Sequence, residues 1–417
     1  MQRVHLTATF SRIAIAALAL GFFAFAYLSL TSAAEQPRLI ILNLANLFEA
    51  KKRLDTHDAT LLPALNRLTR DADRALGGGP FSVTHKELKA PSGDKHDYMS
   101  LAPYWWPNPN TANGLPYIRR DGVVNSERDQ TSDRKRFGDL VQSVKSLALG
   151  YFFTGREDYA AHAVKLTRVW FIDDATRMNP HLRYAQAIPG RNQGRGAGII
   201  ETHNLPELLD AVGLLSGSKN WQQADQEALQ EWFAAYLNWL LNSPEGKAEA
   251  EAQNNHGTWY DVQVAAFAIF SGRDEVAKQI LNGLLARRIA KQIDPDGRQP
   301  RELERTQSWN YSIFNLEAFF SAACISEKLG IELWKFESAD KRSVHKALDW
   351  LVPFASGDKK WSHEQISLLE PAKLAPLLRQ AAVRFNEPAY EKTISRLTKI
   401  TGDERWRLLF PKYTEPK

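Results

Sequence analysis

Apolar residues recur at helical spacing along most of this chain. One series runs through Leu140, Val144, Leu147, Ala148 and Tyr151, which is the spacing of a helix with one buried face. The same spacing predicts further helices over residues 205–215, 229–240 and 313–323, and at about 39–54, 58–76, 157–172, 274–290, 341–354, 368–383 and 388–400. Residues 262–270 are apolar on nearly every side, so they predict an inner, buried helix.

Strand-like alternation is scarce, and the sequence therefore predicts an all-α fold. About a dozen helices alternate between more and less apolar character and are joined by short turns. This alternation favours antiparallel helix hairpins closed into a ring, an α/α toroid or incomplete barrel. No Pro- or Ser-rich linker divides the chain, so one domain is predicted over residues 35–417. The alternative is an open helical solenoid, although no fixed-period repeat is visible.

Two long stretches, residues 80–131 and 173–202, are rich in Pro and Gly and break the helical pattern. Long irregular loops in a compact domain usually carry function. Aromatic rings can stack on sugar faces, while Arg and amide side chains bind carboxylates and hydroxyls. The candidate substrate-binding residues in these loops are Tyr98, Trp105, Trp106, Gln186 and Arg191. The alternative for Trp105 and Trp106 is a staple that packs the loop onto the helices.

The N-terminus has the pattern of an export signal. Two arginines accompany an apolar run over residues 13–30, and small residues at Ser32 and Ala34 follow it. This pattern predicts a signal peptide over residues 1–34, so that the mature protein is periplasmic or secreted and is free of the membrane. The alternative is an uncleaved anchor, because the run approaches the ~20 residues that a membrane span needs.

Composition narrows the classes of protein further. The chain has 417 residues, of which 44% are hydrophobic, and this excludes a disordered protein. Cys324 is the lone cysteine, so an internal disulfide and a thiol-based metal centre are excluded. The net charge of +5 is weak support for a nucleic-acid partner but suits a basic cleft for an acidic ligand. Histidines lack paired ligand spacing, so neither a metal nor another cofactor is predicted; the oligomeric state is left open.

Residues 253–260 form the first motif that carries chemistry, Gln-Asn-Asn-His-Gly-Thr-Trp-Tyr. It directly precedes the inner helix, so it lies at a helix entrance. Two amides and an imidazole are expensive to bury without partners, which favours a site containing Asn254, Asn255, His256 and Trp259. The alternative is an ordinary helix start capped by Asn255 or Thr258, with His256 in solvent.

A second motif, residues 300–312, opens the next apolar helix and places Arg305 six residues before Tyr311. Together with Asn255 and His256, these residues supply an amide, an imidazole, a guanidinium and a phenol. That set suits β-elimination from a uronic-acid polymer, in which the charge of an enolate-like intermediate must be offset while a base removes the C5 proton and an acid protonates the departing O4. A hydrolase would instead need two opposed carboxylates, for which Glu201 and Glu302 are the candidates.

At this point the chain resembles the alginate-lyase-type polysaccharide lyases, whose fold is an α/α toroid. The resemblance extends over about residues 40–355, and five stretches carry it: residues 92–98, 104–107, 170–171, 254–257 and 302–306. It implies that Asn255 neutralises the substrate carboxylate and that His256 assists or acts as the base. It also implies that Arg305 supports the carboxylate or tunes the phenol, and that Tyr311 is the acid and also the base. The spacing of Arg305 and Tyr311 differs slightly from that of better-known members.

Stereochemistry limits the substrate. In β-D-mannuronate and β-D-glucuronate the C5 hydrogen and O4 lie on the same face of the ring, so one phenol could serve as base and then as acid. In guluronate and galacturonate they are opposed, which favours a separate base such as His256. The sequence does not decide between the two geometries. We favour a same-face lyase acting on poly-mannuronate (alginate) or glucuronan, with the hypothesis that Arg305 depresses the pKa of Tyr311 through its charge.

Two other kinds of function remain as alternatives. One is a glycoside hydrolase for unsaturated uronides on the same toroid, and the other is a non-catalytic periplasmic protein that binds acidic glycans. The predicted partner is in each case an acidic polysaccharide or oligosaccharide rather than nucleic acid. His203 is a further substrate candidate, with helix capping as its alternative, and residues 133–136 are interpreted as a solvated helix start.

Overall fold

The computed structural model describes residues 38–130, 132–397 and 404–412, so the predicted signal peptide lies outside the described residues. Within them, no helix is both long enough and apolar enough to cross a bilayer. The α-helices are α1 (Leu44–Asp55), α2 (Leu62–Leu76), α3 (Glu127–Gln130), α4 (Arg134–Thr154), α5 (Glu157–Thr167), α6 (Leu205–Leu214), α7 (Gln223–Asn242), α8 (Pro244–Ala250), α9 (Asn255–Phe270), α10 (Asp274–Leu284), α11 (Ala290–Gln292), α12 (Pro300–Leu303), α13 (Ser308–Lys328), α14 (Val344–Ala355), α15 (Ala375–Arg384), α16 (Ala389–Arg396) and α17 (Trp406–Leu409).

The helices pack in sequence around a centre. Helix α4 contacts α6, α6 contacts α9, α9 contacts α13, and the series continues through α14 to α15, while α17 contacts α1 and α2. Side chains of α4, α6, α13, α15 and α17 all face one central cavity of about 360 Å³. The predicted α/α toroid is therefore confirmed, with α2, α5, α7 and α10 packed outside the inner helices.

Burial explains why α9 and α13 are apolar all round. Nearly every residue of α9 is buried, because α6, α7, α8, α10 and α13 surround it. A helix enclosed in this way has no solvent face and needs no polar stripe. The predicted inner helix over residues 262–270 is confirmed, but it begins seven positions earlier, at Asn255, so the first polar motif is itself helical.

Several predicted helix bounds were too generous. The first two helices begin at Leu44 and Leu62, and the helix predicted over 368–383 begins at Ala375, after a 3₁₀ turn at Pro371–Leu374. The predicted helices over 157–172 and 274–290 each end in a π-helical turn, Arg168–Ile172 and Leu285–Ile289. Hydrophobic spacing cannot distinguish these turns from an α-helix, because all of them bury one face.

The two irregular stretches contain four short strands, and one pair of these strands joins the stretches. Strand β1 (Met99–Leu101) runs parallel to β4 (Tyr184–Ala187), with Met99 opposite Tyr184. Strand β2 (Trp105–Trp106) runs antiparallel to β3 (Ile118–Arg119), with Trp105 opposite Arg119. The first pairing joins the two stretches, and the second holds Trp105 and Trp106 against another part of the first stretch.

Candidate active site

A polar cavity of about 280 Å³ lies where the entrances of α9 and α13 meet the two irregular stretches. Asn255, His256, Arg305 and Tyr311 all line it, so the structure brings the four predicted catalytic residues together. Its described lining is Pro103, Tyr104, Trp105, Arg119, Arg128, Arg134, Gln186, Arg195, Ala197, Ile200, His203, Asn254, Asn255, His256, Arg305, Tyr311 and Phe314.

One side of this cavity, the amide wall, consists of Asn254, Asn255 and His256. Asn254 is the N-cap of α9 and accepts the backbone N–H of His256 at 3.3 Å. Asn255 is 1% exposed, and both its backbone N–H and its side-chain Nδ2 donate to the Glu302 carboxylate at 2.7 Å. Burial raises the pKa of Glu302, and the two hydrogen bonds from Asn255 oppose that rise. The amide of Asn255 is therefore fixed in orientation before any ligand arrives.

His256 is held by a second buried carboxylate. Its Nδ1 lies 2.6 Å from Oε1 of Glu249, whose side chain is 3% exposed. When Glu249 is ionised this contact fixes the proton on Nδ1, which leaves Nε2 of the neutral ring as the acceptor. The imidazole can then take a proton, or carry a positive charge beside an anionic ligand.

Gly257 is required by close packing behind the amide wall. A Cβ atom there would lie 2.1 Å from the carbonyl oxygen of Ala252 and 2.3 Å from Nη1 of Arg288. Arg288 is itself buried, pairs with Asp261 and donates to the carbonyls of Ala250 and Ala252. The glycine of the motif thus allows the α8–α9 connection to pack against this guanidinium.

A second group of lining residues, the phenol wall, consists of Tyr104, Arg305 and Tyr311. The hydroxyls of Tyr104 and Tyr311 are 2.5 Å apart, and Cζ of Arg305 lies 3.8 Å from the centre of the Tyr311 ring. Tyr311 enters α13 one helical turn after its start, and its backbone N–H donates to the carbonyl of Gln307. Tyr104 reaches it from the first irregular stretch.

Arg305 forms an ion pair with Asp121, which lies in the first irregular stretch together with Tyr104. Its Nε and Nη2 donate to the two carboxylate oxygens at 3.1 and 2.8 Å, and Thr306 adds bonds to the same group. Burial alone would raise the pKa of Asp121, but the hydrogen bond and charge of Arg305 lower it to about 2. The guanidinium thus anchors a loop and covers the phenol ring.

The charge of Arg305 lowers the pKa of Tyr311 as predicted, but the pKa is nevertheless raised overall in the free protein. Burial raises the pKa of Tyr311, the neighbouring Tyr104 raises it further, and Arg305 only partly opposes them. Desolvation disfavours the phenolate more than one nearby cation stabilises it, because Asp121 neutralises much of that cation. Tyr311 therefore carries its proton in the resting protein.

Four of the eight predicted substrate-binding residues line the polar cavity, namely Trp105, Gln186, His203 and Asn254. His203 is held by contacts within the protein. Its Nδ1 contacts the carbonyl of Ile200 at 2.8 Å, and its ring packs on Trp259 and Phe314. Burial lowers the pKa of His203 to about 4, so its imidazole is neutral near pH 7.

Tyr98 and Trp259, also predicted as substrate-binding residues, do not line the polar cavity. Tyr98 is fully buried, and its hydroxyl donates to Glu201 at 2.8 Å. Trp259 is 5% exposed, its Nε1 donates to the carbonyl of Phe314, and it faces the central cavity instead. Both side chains lie in polar motifs, but strand and helix geometry turns them into the core.

Trp106 and Arg191 lie beside the polar cavity rather than among its lining residues. Nε1 of Trp106 donates to the carbonyl of Val123, and Arg120 covers its ring at 5.3 Å. Arg191 stacks on Trp105 at 5.0 Å and donates to the carbonyl of Tyr117. The alternative of a loop staple therefore describes Trp106 better, whereas Arg191 supports a residue that does line the cavity.

Known proteins resemble this chain in sequence and in fold. The alginate lyase family model matches residues 82–361. An alginate lyase from Bacteroides ovatus is 38% identical, and the match covers 90% of this chain and 99% of that one with a TM-score of 0.86. The chain belongs to the alginate lyase family.

Two further structures share the fold at lower identity. Alginate lyase A1-III from Sphingomonas species A1 is 17% identical, with a TM-score of 0.53 over 83% of this chain and 95% of that one. A tetrasaccharide complex of alginate lyase A1-III is 16% identical, with a TM-score of 0.58 over 92% and 98% of the two chains. Among curated proteins no sequence matches. This alginate lyase family member is accordingly a polysaccharide lyase, and an acidic polysaccharide is its class of substrate.

The cavity of this family member is built for anions. No described lining residue is acidic, whereas five are arginines: Arg119, Arg128, Arg134, Arg195 and Arg305. Glu201 and Glu302, the carboxylates considered for hydrolysis, are 3% and 1% exposed and lie behind the lining. In the described residues, no three Asp, Glu, His or Cys side chains are grouped so as to hold a metal ion.

The sequence missed the residues that support the site. Arg134 was interpreted as part of a solvated helix start, yet it lines the cavity and its Nη1 lies 3.6 Å from Glu201. Asp133 beside it is fully buried, accepts the backbone N–H of Met99 and pairs with Lys86 at 3.3 Å. Glu249 precedes His256 by seven residues across a turn, and no spacing rule indicates that contact.

Two neighbouring cavities extend the site. An outer cavity of about 750 Å³ shares Tyr104, Arg134, His203 and Tyr311 with the polar cavity. The outer cavity in turn shares His203, Glu317 and Trp406 with the central cavity. Burial raises the pKa of Glu317 to about 7, and the charge of Glu207 adds to the rise. Space for more than one sugar unit thus adjoins Tyr311.

Proposed function

We propose that this protein cleaves 1,4-linked poly-β-D-mannuronate by β-elimination. This is the component of alginate in which the C5 hydrogen and O4 lie on the same face of the sugar ring. The observation that carries the proposal is that a fixed amide and imidazole, Asn255 and His256, line the same 280 Å³ cavity as the phenol of Tyr311. A basic lining without described acidic side chains suits a polyanionic substrate. The related proteins of known structure are alginate lyases by name, which favours mannuronate over glucuronate.

The amide wall offsets the charge of the reacting uronate. One N–H of the Asn255 amide is bound to Glu302, and the other is available to the substrate carboxylate. In its protonated form His256, fixed through Nδ1 by Glu249, donates its Nε2–H to the same carboxylate. Donors that are already oriented stabilise the enolate-like state without reorganisation.

The phenol wall moves the proton. In mannuronate the C5 hydrogen and O4 share a face, so the Tyr311 oxygen removes the proton as phenolate and returns it to O4 as phenol. The Arg305 guanidinium, which covers the ring, stabilises the phenolate through its charge. The bond from C4 to the glycosidic oxygen breaks as the C4–C5 double bond forms.

A panel of pure polymers tests this proposal. Poly-mannuronate, poly-guluronate, glucuronan, hyaluronan and pectate are supplied separately, and ultraviolet absorbance of the unsaturated product is followed. We expect poly-mannuronate to be cleaved fastest. Reducing ends that accumulate without absorbance would indicate hydrolysis, and binding without cleavage would indicate a glycan-binding protein.

The pH dependence tests the role of Tyr311. Because the pKa of Tyr311 is raised in the free protein, the phenolate fraction increases tenfold per unit as pH rises toward that pKa. We expect kcat/KM on poly-mannuronate to rise through the alkaline range while the protein stays folded. A profile that is flat above neutral pH contradicts the assignment of Tyr311 as base.

A second assignment has one specific observation in its favour. The 2.6 Å contact between Glu249 and Nδ1 of His256 resembles the support of a general base by a carboxylate. His256 would then remove the proton and the protonated Tyr311 would act only as acid, which suits the opposed geometry of guluronate. Preference for poly-guluronate in the same polymer panel would select this assignment.

A further inference from the structure

Arg195 differs from the other arginines of the polar cavity because it has no carboxylate partner. Arg119 and Arg305 pair with Asp121, Arg128 pairs with Asp129, and Arg134 approaches Glu201. In the described part of the chain, no carboxylate oxygen lies within ion-pair distance of Arg195. Among the arginines that line the cavity, Arg195 is therefore the one whose positive charge is least compensated by the surrounding protein.

The hydrogen bonding of Arg195 is also incomplete. Its Nη2 donates to the neutral Oε1 of Gln186 at 2.6 Å, while its buried Nε has no hydrogen-bond partner among the described residues. Burial lowers the pKa of Arg195, and the nearby Glu249 opposes this. A guanidinium stays charged in proteins despite such a shift, so Arg195 carries a positive charge with which an anion can pair.

Gln186 is held in an unusual backbone conformation to make this contact. Its φ angle is 52°, in the left-handed region that favours glycine. Its backbone N–H donates to Oγ of Ser100 at 2.8 Å, and that hydroxyl donates to Glu201 at 2.7 Å. Strained residues that persist beside a cavity usually do so because the conformation has a function.

Arg195 lies on the same side of the cavity as the amide wall. The following residue, Gly196, packs so closely on α8 that a Cβ there would be 2.6 Å from the carbonyl oxygen of Glu245 and 3.1 Å from Cβ of Ala248. Helix α8 carries Glu249, the partner of His256. The guanidinium of Arg195 and the imidazole of His256 are thus positioned by the same short helix.

We propose that Arg195, oriented by Gln186, binds the carboxylate of the uronate unit that loses its C5 proton. This inference rests on the proposed lyase function and adds to it the cation that Arg305 does not supply, since Arg305 is bound to Asp121 at both carboxylate oxygens. Negative charge grows on that carboxylate as the proton leaves C5, so an adjacent guanidinium stabilises the transition state more than the ground state.

The first test is Arg195→Gln, with Arg177→Gln as its matched control. Arg177 lies in the same irregular stretch but pairs with Asp174 at the surface, with 51% of its side chain exposed. We expect kcat/KM on poly-mannuronate to fall ~100-fold in Arg195→Gln, mainly through kcat, and to stay near the wild-type value in the control. An unchanged kcat/KM in Arg195→Gln overturns the inference.

The second test, Gln186→Glu, compensates the positive charge of Arg195 and leaves its guanidinium in place. Glutamate has nearly the same shape as glutamine, keeps the hydrogen bond to Arg195 and forms the ion pair that the natural protein lacks. We expect a ~10- to 100-fold fall in kcat/KM with unchanged thermal stability. Wild-type turnover in this variant would show that the uncompensated charge is irrelevant, against the inference.

Chemical rescue separates a substrate contact from a structural role. Methylguanidinium added to an Arg195→Ala protein should restore part of kcat, and Arg195→Lys should exceed Arg195→Gln. A loss confined to KM contradicts the assignment to the reacting unit. If the wild-type protein forms no unsaturated product from any polyuronate, the proposed lyase function fails; if it forms that product and the Arg195 variants do so equally well, only this inference fails.

Discussion

The two walls of the polar cavity are held in different ways. On the amide wall, Asn255 and His256 are bound by Glu302 and Glu249, carboxylates that are themselves almost fully buried. On the phenol wall, Arg305 is held by Asp121, whose side chain is 21% exposed and comes from an irregular stretch. The amide wall is therefore fixed by buried carboxylates, whereas the phenol wall depends on how a loop docks.

This difference suits the two tasks. Charge stabilisation is most effective when the donors do not reorganise during the reaction. A polymer must enter before Tyr311 meets its C5 hydrogen, and a wall built on a docked loop can admit it. Breaking each wall separately should consequently give different signatures in stability and in turnover.

The largest effect is expected for Tyr311→Phe, which removes the hydroxyl of the phenol wall and keeps the ring under Arg305. Loss of the general acid and base should lower kcat ~10³-fold or more, measured as product absorbance on poly-mannuronate. Tyr151→Phe, on α4 away from the polar cavity, is the control and should be near normal. A Tyr311→Phe protein with near-normal turnover removes Tyr311 from the mechanism.

Glu302→Gln tests the amide wall. Glutamine offers one acceptor oxygen to the two Asn255 donors, so the amide loses its fixed orientation and a buried donor loses its partner. We expect a ~100-fold fall in kcat/KM and a loss of about 1–3 kcal/mol in the free energy of unfolding, measured by urea denaturation. Glu304→Gln, two residues away and exposed, should change neither quantity. Equal stability of the two variants would argue against a fixed amide wall.

Asp121→Asn tests the phenol wall and should be milder. The loop loses its ion pair with Arg305, so we expect a ~10-fold fall in kcat/KM but a loss of at most about 1 kcal/mol in the free energy of unfolding, since the carboxylate is partly exposed.

The pH dependence of this ion pair follows from the pKa of Asp121, which is lowered to about 2, below its unfolded value. The pair therefore contributes fully to stability above pH 4, and its contribution is lost as pH falls toward 2. Asp174→Asn, at an exposed ion pair, is the control; a stability loss as large as that of Glu302→Gln would erase the contrast between the walls.

The smallest effect concerns His203, which lies between the polar and central cavities. Its pKa is lowered to about 4, so the unfolded chain binds its proton more readily than the folded protein does below pH 6.5. Stability should therefore decline as pH falls from 6.5 to 4, and less steeply in His203→Gln, by an amount on the order of 1 kcal/mol. Parallel thermal-melting profiles for the two proteins would contradict a buried, neutral His203.

The sequence predicted the helices best where burial is simplest. Helices α9 and α13 are surrounded on all sides, so their uniform apolar character was informative. It could not indicate that Tyr98 and Trp259 are buried and do not line the polar cavity, because exposure of a side chain in a polar motif depends on which neighbours pack over it. Nor could it indicate the pKa of Tyr311, which is decided by burial beside Tyr104, a residue 207 positions away.

By itself, the sequence determined a mainly helical chain, two long irregular stretches and four polar residues that line one cavity, Asn255, His256, Arg305 and Tyr311, because apolar periodicity and chemically specific motifs are local properties. The tertiary structure alone decided which carboxylates hold those residues, which arginine keeps its charge and which aromatic side chains reach the cavity. Those outcomes depend on contacts between Asp121 and Arg305, between Glu249 and His256, and between Gln186 and Arg195, which form only when the ring of helices closes and the two loops pair.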